Sequence, residues 1–242
     1  RSSAASDVYK RQTMNIAQQL YEGVDIKGRG TVGLITYLRT DSTRVADEAK
    51  VASKDYISEN YGEKYLPQSS NAKKDDKKIQ DAHEAIRPTD LSLSPALVKE
   101  SLQRDQFRLY QLIWKRFVAS QMAPAQYETT SVRIGAGEYI FTVSASKIVF
   151  DGFMSVYKTD DDNEETNALA KGLDENSVLT LDDVNGTQHF TQPPAHFTEA
   201  SLVKALEEQG IGRPSTYAPT ISTIIARHYV CLLYTSPSPR DY

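Results

Sequence analysis

The sequence predicts an α+β fold that is divided into more than one domain. Residues 13–123 and 198–227 carry apolar side chains at the three- and four-residue spacing that is typical of helices. Between them, after Pro124, the chain becomes rich in β-branched and aromatic residues, which favour strands. A length of 242 residues is enough for one large domain or two smaller ones.

The two ends of the sequence are related to each other through DNA. The codons GAT GTG TAT AAG AGA CAG encode Asp7–Gln12, and their reverse complement, read one base in, encodes Cys231–Ser236. Unrelated protein ends would not share this property. We therefore expect residues 1–12 and 231–242 to derive from a sequencing-library adaptor, and 13–230 to be an internal fragment of a longer protein.

Two helices and a short strand are expected before the first long polar loop, which covers residues 67–81. In the stretch TMNIAQQLY the apolar residues share one helical face, and Gly23 ends the helix. The stretch GLITYLRTDSTRV, residues 33–45, predicts a strand that turns into a second helix, with Asp41 or Ser42 as its cap. We expect that helix to bury one apolar stripe, formed by Val45, Ala49, Ala52 and Tyr56.

More helical sequence precedes Pro124. Ser94 and Pro95 have the residue types that cap and begin a helix, and a longer helix follows them. The aromatic residues of that longer helix recur at helical spacing, so we expect them in the core rather than around a ligand. They are Phe107, Tyr110, Trp114 and Phe117.

Antiparallel strands are predicted after Pro124. Tyr139, Phe141 and Val143 alternate with smaller or polar residues, and residues 135–137 predict the turn before them. The acidic run TDDDNEET predicts a loop, SVLTLDDV another strand, and Asn185-Gly186 another turn.

Helical sequence returns at Thr198. The stretch TEASLVKALEEQG ends at Gly210, and a second helical stretch follows, so the pair resembles a helix-turn-helix. The chain therefore divides into a helical domain over 13–123, an antiparallel β domain over 124–192, and a helical segment over 193–230 that begins a third domain.

The composition narrows the classes of function. A net charge of −4 argues against a uniformly basic nucleic-acid coat, although it says little about one local groove. Cys231 is the only cysteine, so the sequence offers no disulfide framework and no cysteine metal site. Because no long apolar run is present, we expect a cytoplasmic protein with no membrane partner.

Tyr37 and Arg39 form the most informative pair in the sequence. If the stretch LITYLRT, residues 34–40, is extended, both side chains lie on the same side of the chain. A phosphodiester at that place would meet a phenol and a guanidinium together, and the guanidinium matches phosphate oxygens. From residue types alone, however, a packed strand tyrosine beside a surface arginine is the commoner arrangement.

Four long stretches resemble, in the same order, the central region of the type IA DNA topoisomerases, in the bacterial topoisomerase I branch. The resemblance covers nearly all of 13–230. The stretches are GLITYLRTDSTRV (33–45), DAHEAIRPTD (81–90), LYQLIWKRFVASQMAPA (109–125) and EASLVKALEEQGIGRPSTYAPTISTI (199–224).

The resemblance implies an enzyme, a topoisomerase, with Tyr37 as its nucleophile. Tyr37 would attack one strand of DNA and form a 5′-phosphotyrosyl intermediate, and religation after strand passage would relax negative supercoils without ATP. Arg39 would hold the scissile phosphate. His83, in HEAIRP, would lie beside the cleavage site and donate a hydrogen bond to a phosphate.

Other positions match segments near the family's cleavage site. Thr36 and Asp41 flank the tyrosine–arginine pair, and we expect them to shape it and to contact DNA. Gln18 and Glu22 match a segment near the active site, but the stretch GVDIKGRGTV that follows them differs from some relatives and leaves their individual roles open.

A second DNA contact is expected in GIGRPSTY. Arg213, Ser215 and Thr216 at the start of a helix combine a guanidinium, two hydroxyls and free backbone N–H groups, a combination that suits phosphate. Lys204 would add charge nearby. Helix capping by Ser215 is the simpler alternative.

No metal site is expected within the fragment. Asp160, Asp162 and Glu164 have a spacing that the family uses for magnesium, but their surroundings are wholly polar and predict a solvated loop. By the resemblance, magnesium binds in a toprim domain upstream of Tyr37 and outside this fragment.

The resemblance also implies the partners. The partners are single-stranded DNA and negatively supercoiled DNA. The intact enzyme is expected to be a monomer that associates with the nucleoid. A topoisomerase III-like decatenase and a reverse gyrase are the near alternatives, and Leu38 favours topoisomerase I, because proline is common after the tyrosine in the topoisomerase III branch. A non-catalytic nucleic-acid-binding module built on residues 199–227 is the alternative of another class.

Overall fold

The computed structural model describes residues 2–40, 42–67, 83–158, 177–213 and 216–230, with only the backbone of 2–11. These residues contain six α-helices and two antiparallel hairpins, so the α+β class is confirmed for them. The helices are α1 Ser2–Glu22, α2 Asp47–Tyr61, α3 Pro95–Val98, α4 Arg104–Ser120, α5 Glu199–Glu208 and α6 Tyr217–Ala226. The strands are β1 Val24–Ile26, β2 Gly30–Val32, β3 Gln126–Ala136 and β4 Tyr139–Phe150. Short 3₁₀ helices cover Glu63–Tyr65, Lys99–Ser101 and Gly152–Ser155.

The chain forms two compact units. The first unit contains Arg1–Ala49, Lys74–Trp114 and Ala195–Tyr242, and the second contains Lys50–Lys73 and Lys115–Pro194. The division into three domains at residues 123 and 192 remains a prediction.

The first unit has an apolar core to which α1, α3, α4, α6 and the segment after β2 contribute. Leu20 of α1, Leu34, Val98 of α3 and Tyr110 of α4 are each 0% exposed, and Ile221 of α6 is 1% exposed. Tyr110 also donates a hydrogen bond from its hydroxyl to the Leu93 carbonyl at 2.6 Å. Burial, with the nearby charge of Asp90, raises the pKa of Tyr110, so the hydroxyl stays a neutral donor.

The hairpin of β1 and β2 follows α1 directly. Gly23 ends the helix at a φ of 127°, a value that glycine adopts most readily. Val24 pairs with Val32, and Ile26 pairs with Gly30. This hairpin occupies the glycine-rich stretch to which the sequence assigned no structure.

The second unit holds the long hairpin of β3 and β4. Ala136 pairs with Tyr139 across a two-residue loop in which Gly137 has a φ of 62°. The predicted turn over 135–137 is therefore wrong by one to two residues, because Gly135 and Ala136 belong to β3. At the base of the hairpin, Tyr65 donates a hydrogen bond to the Asp151 carboxylate at 2.8 Å.

Most of the predicted helices are confirmed. Pro95 begins α3 after Ser94, and α5 and α6 form the helix–turn–helix around Gly210. Of the predicted aromatic stripe, α4 buries Tyr110, Trp114 and Phe117, whereas Phe107 is half-buried. The capping box of Thr198 and Ser201 begins α5.

The predicted strand over 33–40 is wrong. Among the described residues it makes a single β-bridge, between Ile35 and Pro88, because proline has no N–H with which to continue a ladder. The second helix begins at Asp47 rather than after Asp41 or Ser42. The Thr40 hydroxyl accepts a hydrogen bond from Ser42 N and the Ser42 hydroxyl accepts one from Arg44 N, local bonds that compete with the start of a helix.

Two further expectations need correction. The stripe on α2 is wrong, because Ala52 is exposed while Ser53 and Ile57 are the residues that the helix buries. The predicted strand over 177–184 and the predicted turn at Asn185 are also wrong. No regular element forms between 177 and 198, and Val178 is 97% exposed. A single segment of alternating residues needs a neighbouring strand with which to pair, and none of the described strands pairs with it. The acidic run lies outside the described residues.

Tyr110→Phe is expected to destabilise the first unit by about 1–3 kcal/mol, because it leaves the buried Leu93 carbonyl without its donor. Urea unfolding followed by near-ultraviolet circular dichroism measures this. Tyr139→Phe, at a residue 74% exposed, is the matched control and should change stability little. Equal effects of the two substitutions would contradict the role of the buried hydrogen bond.

Candidate active site

Tyr37 lies at the surface of the first unit on a firmly held backbone. Leu34, Ile35 and Leu38 are 0%, 1% and 5% exposed, whereas Tyr37 is 37% exposed. Because its neighbours are anchored in the core, the chain presents the phenol to solvent without being mobile itself.

Thr36 connects this segment to the residues that follow His83. Its backbone N–H donates to the Arg87 carbonyl at 2.9 Å, and its hydroxyl donates to the Ala85 carbonyl at 2.8 Å. The same hydroxyl accepts a hydrogen bond from Arg87 N at 2.9 Å. Thr36 is therefore fully used inside the protein, which is a different role from the predicted DNA contact.

The result of this pairing is a stack of Tyr37 on His83. The ring centroids are 5.0 Å apart and the planes are inclined by 26°, within the range of favourable aromatic pairs. The two residues that the sequence singled out from separate motifs are thus in direct contact.

Tyr21 completes the aromatic cluster from another side. It lies in the last turn of α1, with its ring 5.7 Å from that of Tyr37 and inclined by 70°, an edge-to-face arrangement. Sequence reasoning missed this residue. No side-chain pattern in the sequence indicates it, because Tyr21 is an exposed aromatic residue two positions before Gly23, at the end of a helix.

Glu84 and Arg87 fix the segment that carries His83. Arg87 donates to Glu84 Oε2 from two nitrogens, each at 2.9 Å, and the side chains are only 13% and 27% exposed for Arg87 and Glu84. Glu84 Oε2 also accepts from Ala46 N at 3.3 Å. Burial raises the pKa of Glu84, but the Arg87 and Ala46 hydrogen bonds and the charges of Arg87 and Arg44 outweigh it, so the net pKa is lowered.

Arg39 is exposed at the tip of the segment. Within the described part of the chain no hydrogen-bond or ion-pair partner of its guanidinium is found. Since residues 33–40 are not a strand, the expected alignment of Tyr37 and Arg39 on one strand face does not follow. Asp41 lies outside the described residues.

Gln18 and Glu22 lie on the same turn of α1 as Tyr21. Gln18 donates a hydrogen bond to Glu22 Oε1 at 2.6 Å, an exposed contact within the helix. Both residues are near Tyr21 in the sequence. Among the described contacts, however, neither Gln18 nor Glu22 touches Tyr37.

Two of the residues expected to bind phosphate before α6, Arg213 and Thr216, are hydrogen-bonded to each other. The Thr216 hydroxyl accepts from Arg213 N at 2.8 Å and lies 3.0 Å from the Arg213 carbonyl. Gly212 permits this turn with a φ of 79°. Lys204 is paired with Glu208 at 3.9 Å along α5, and Ser215 lies outside the described residues.

Other kinds of site find less support. Among the described residues no group of three or more histidine, cysteine, aspartate or glutamate side chains could hold a metal ion. Asp160, Asp162 and Glu164 fall outside that description. No helix in the described part is long and apolar enough to cross a membrane. A shallow cavity of about 440 Å³ between α1 and α4 is lined mainly by glutamines and does not include Tyr37.

Comparisons with a family model and with a solved structure both match DNA topoisomerases. A family model described as DNA topoisomerase matches residues 3–239. The chain is also similar to the structure of full-length topoisomerase I from Thermotoga maritima in a monoclinic crystal form, with 40% sequence identity and a TM-score of 0.68. That match covers 91% of this chain and 35% of the Thermotoga chain, so this chain spans about a third of its length.

Glu84→Gln is expected to lower stability at neutral pH by roughly 1 kcal/mol, because Arg87 loses a charged partner that is mostly buried. The lowered pKa of Glu84 means that its contribution is complete above the unfolded-state value of about 4.3 and is lost as the pH falls through the folded-state value.

The difference in urea midpoint between wild type and Glu84→Gln should therefore shrink on acidification from pH 7 to below about pH 4. Glu138→Gln, in the exposed loop of the β3–β4 hairpin, is the control. A difference that is constant over this range would show that Glu84 does not act through its charge.

Proposed function

Because the chain belongs to the type IA DNA topoisomerase family, we propose that Tyr37 is the nucleophile of a DNA strand-cleaving reaction. The observation that carries this proposal is the contact of Tyr37 with His83 on an anchored backbone, with the exposed guanidinium of Arg39 two residues further along. A tyrosine with only a packing role would not need to be 37% exposed.

The chemistry is an exchange of one phosphodiester for another. The Tyr37 hydroxyl oxygen attacks the phosphorus of one DNA strand and loses its proton, and the strand's 3′ oxygen leaves and takes up a proton. The product is a 5′-phosphotyrosyl ester with a free 3′-hydroxyl. After the other strand passes, that hydroxyl attacks the ester and restores the original bond. The bond energy stays in the ester, so ATP is not consumed.

Arg39 and His83 stabilise the charge that develops on the phosphate. The Arg39 fork suits two phosphate oxygens, and an N–H of His83 donates to one of them. Asp41 shapes the approach to this pair. Gln18 and Glu22 border the site from α1.

The substrate we propose is single-stranded DNA within negatively supercoiled duplex. Arg213 binds phosphate before α6, with Ser215, Thr216 and Lys204 as further contacts to the DNA. The Thr216 hydroxyl also accepts the hydrogen bond from Arg213 N. The helical domain over 13–123 carries the tyrosine, the antiparallel domain over 124–192 forms an arch, and 193–230 contributes DNA contacts.

We place magnesium in the toprim domain of the intact enzyme. The family uses Mg²⁺ in its toprim domain, and the described residues lack a carboxylate cluster that fits the ion. We propose that the intact enzyme acts as a monomer on chromosomal DNA in the cytoplasm. Leu38 after the tyrosine supports topoisomerase I over a topoisomerase III-like decatenase or a reverse gyrase.

Tyr37→Phe is expected to abolish the covalent adduct between the intact enzyme and a labelled single strand, while binding of the strand is spared, because only the attacking oxygen is removed. Gel electrophoresis under denaturing conditions detects the adduct. Tyr139→Phe is the control and should form it normally. Formation of the adduct by Tyr37→Phe would show that a residue other than Tyr37 is the nucleophile.

Arg39→Ala should slow cleavage by a factor equivalent to about 2–4 kcal/mol, the typical cost of losing one donor to transition-state charge. Single-turnover cleavage rates at saturating DNA measure this. Lys158→Ala, in the second unit, serves as a charge-matched control. An unchanged rate would remove Arg39 from the reaction.

The 242-residue chain alone is expected to bind single-stranded DNA weakly, with affinity that falls as salt rises, and not to relax a negatively supercoiled plasmid. Adding the toprim region with magnesium should restore relaxation. Binding with no adduct under any of these conditions would favour the non-catalytic nucleic-acid-binding module. Relaxation by the chain alone, lost in Tyr37→Phe, would show that the toprim region is dispensable.

A further inference from the structure

We propose that Tyr21 is a positioning residue for Tyr37, a role that rests on the proposed function of Tyr37 as nucleophile. The ring of Tyr21 meets that of Tyr37 edge-to-face, with centroids 5.7 Å apart and planes inclined by 70°. Tyr21 touches no DNA in this proposal and acts only through Tyr37.

Two aromatic contacts from different parts of the chain restrain Tyr37. His83 lies nearly parallel to the phenol, at an inclination of 26°, and stacks on it. Tyr21, at the end of α1 and inclined by 70°, adds a second contact of edge-to-face type. Together they favour one side-chain rotamer for a residue that would otherwise be free at the surface.

The backbone of Tyr21 is held close to the segment that carries Tyr37. Leu34 N donates to the Leu20 carbonyl at 2.8 Å, and Leu20 is 0% exposed. A Cβ atom placed on Gly33 would lie 2.7 Å from the Tyr21 carbonyl oxygen, so this approach requires a glycine. The end of α1 is thus a rigid support rather than a mobile neighbour.

The ring of Tyr21, not its hydroxyl, provides the effect. Tyr21 is 39% exposed, so core packing does not explain its aromatic side chain. Within the described part of the chain its hydroxyl makes no hydrogen bond, and its aromatic contact is with Tyr37. Phenylalanine should therefore replace it, whereas an aliphatic side chain should not.

The first test measures the Tyr37 rotamer in the 242-residue chain labelled with ¹³C and ¹⁵N. Three-bond couplings from backbone nitrogen and carbonyl carbon to Tyr37 Cγ report its χ1 distribution, with the resonance assigned by Tyr37→Phe. We expect a single rotamer in wild type and in Tyr21→Phe, and averaged couplings in Tyr21→Leu. Tyr139→Leu is the control, in which the couplings of Tyr37 should stay as in wild type.

The second test uses the intact enzyme with magnesium and a labelled single strand. Tyr21→Leu should lower the single-turnover cleavage rate about tenfold or more, because a misdirected nucleophile loses in-line geometry. The DNA concentration that gives half the maximal rate should change less than about twofold, and Tyr21→Phe should restore the wild-type rate. If Tyr21→Leu is unstable by circular dichroism, Tyr21→Met replaces it in both tests.

The outcomes separate this proposal from the function on which it rests. A single Tyr37 rotamer in Tyr21→Leu, or a cleavage rate equal to wild type, would overturn the positioning role. A defect shared equally by Tyr21→Phe would also overturn it, since the hydroxyl would then be the active group. If wild-type enzyme forms no adduct, the proposed function fails, and the couplings alone decide whether Tyr21 positions Tyr37.

Discussion

The hydrogen bonds of Thr36 hold the candidate site together. The backbone N–H of Thr36 donates to Arg87, and its hydroxyl donates to Ala85 and accepts from Arg87 N. These three hydrogen bonds join residues 33–37 to residues 85–87. His83 is distant from Tyr37 in the sequence, and closing the intervening chain costs entropy that these bonds and the Glu84–Arg87 pair help to offset. A valine at position 36 would preserve the shape of the side chain but lose its hydrogen bonds to Ala85 and Arg87. These two hydrogen bonds explain why the residue is a threonine.

Elements with strong local signals could be predicted from the sequence, and those decided by distant contacts could not. The helix α4 has a regular aromatic stripe, and α5 has a capping box, so both are recognisable from their own residues. The residues around Ile35 have equally good local strand signals. They fail to form a strand because Pro88, the partner of their one bridge, has no N–H for a ladder, and because Leu34 N donates to Leu20, contacts that no local pattern reveals.

The same distinction applies to the candidate site. Tyr37, Arg39 and His83 lie in motifs that a sequence can display, and the structure brings Tyr37 and His83 together. Tyr21 depends on the close approach of α1 to Gly33, which involves backbone atoms and so leaves no pattern of side chains. Conversely, the residues before α6 match a phosphate-binding composition, yet the Thr216 hydroxyl is used within the turn. Composition shows which groups are available, and only the fold shows which are already paired.

The inclination of the two rings argues for the role of His83. A general base accepts a proton through a nitrogen lone pair that lies in the imidazole plane, and it must face the hydroxyl that it deprotonates. With planes only 26° apart and centroids at 5.0 Å, the imidazole meets Tyr37 with its face rather than with its nitrogen edge. This stacked geometry does not suit His83 as the base that removes the Tyr37 proton, and it agrees with the proposed role of His83 toward the phosphate.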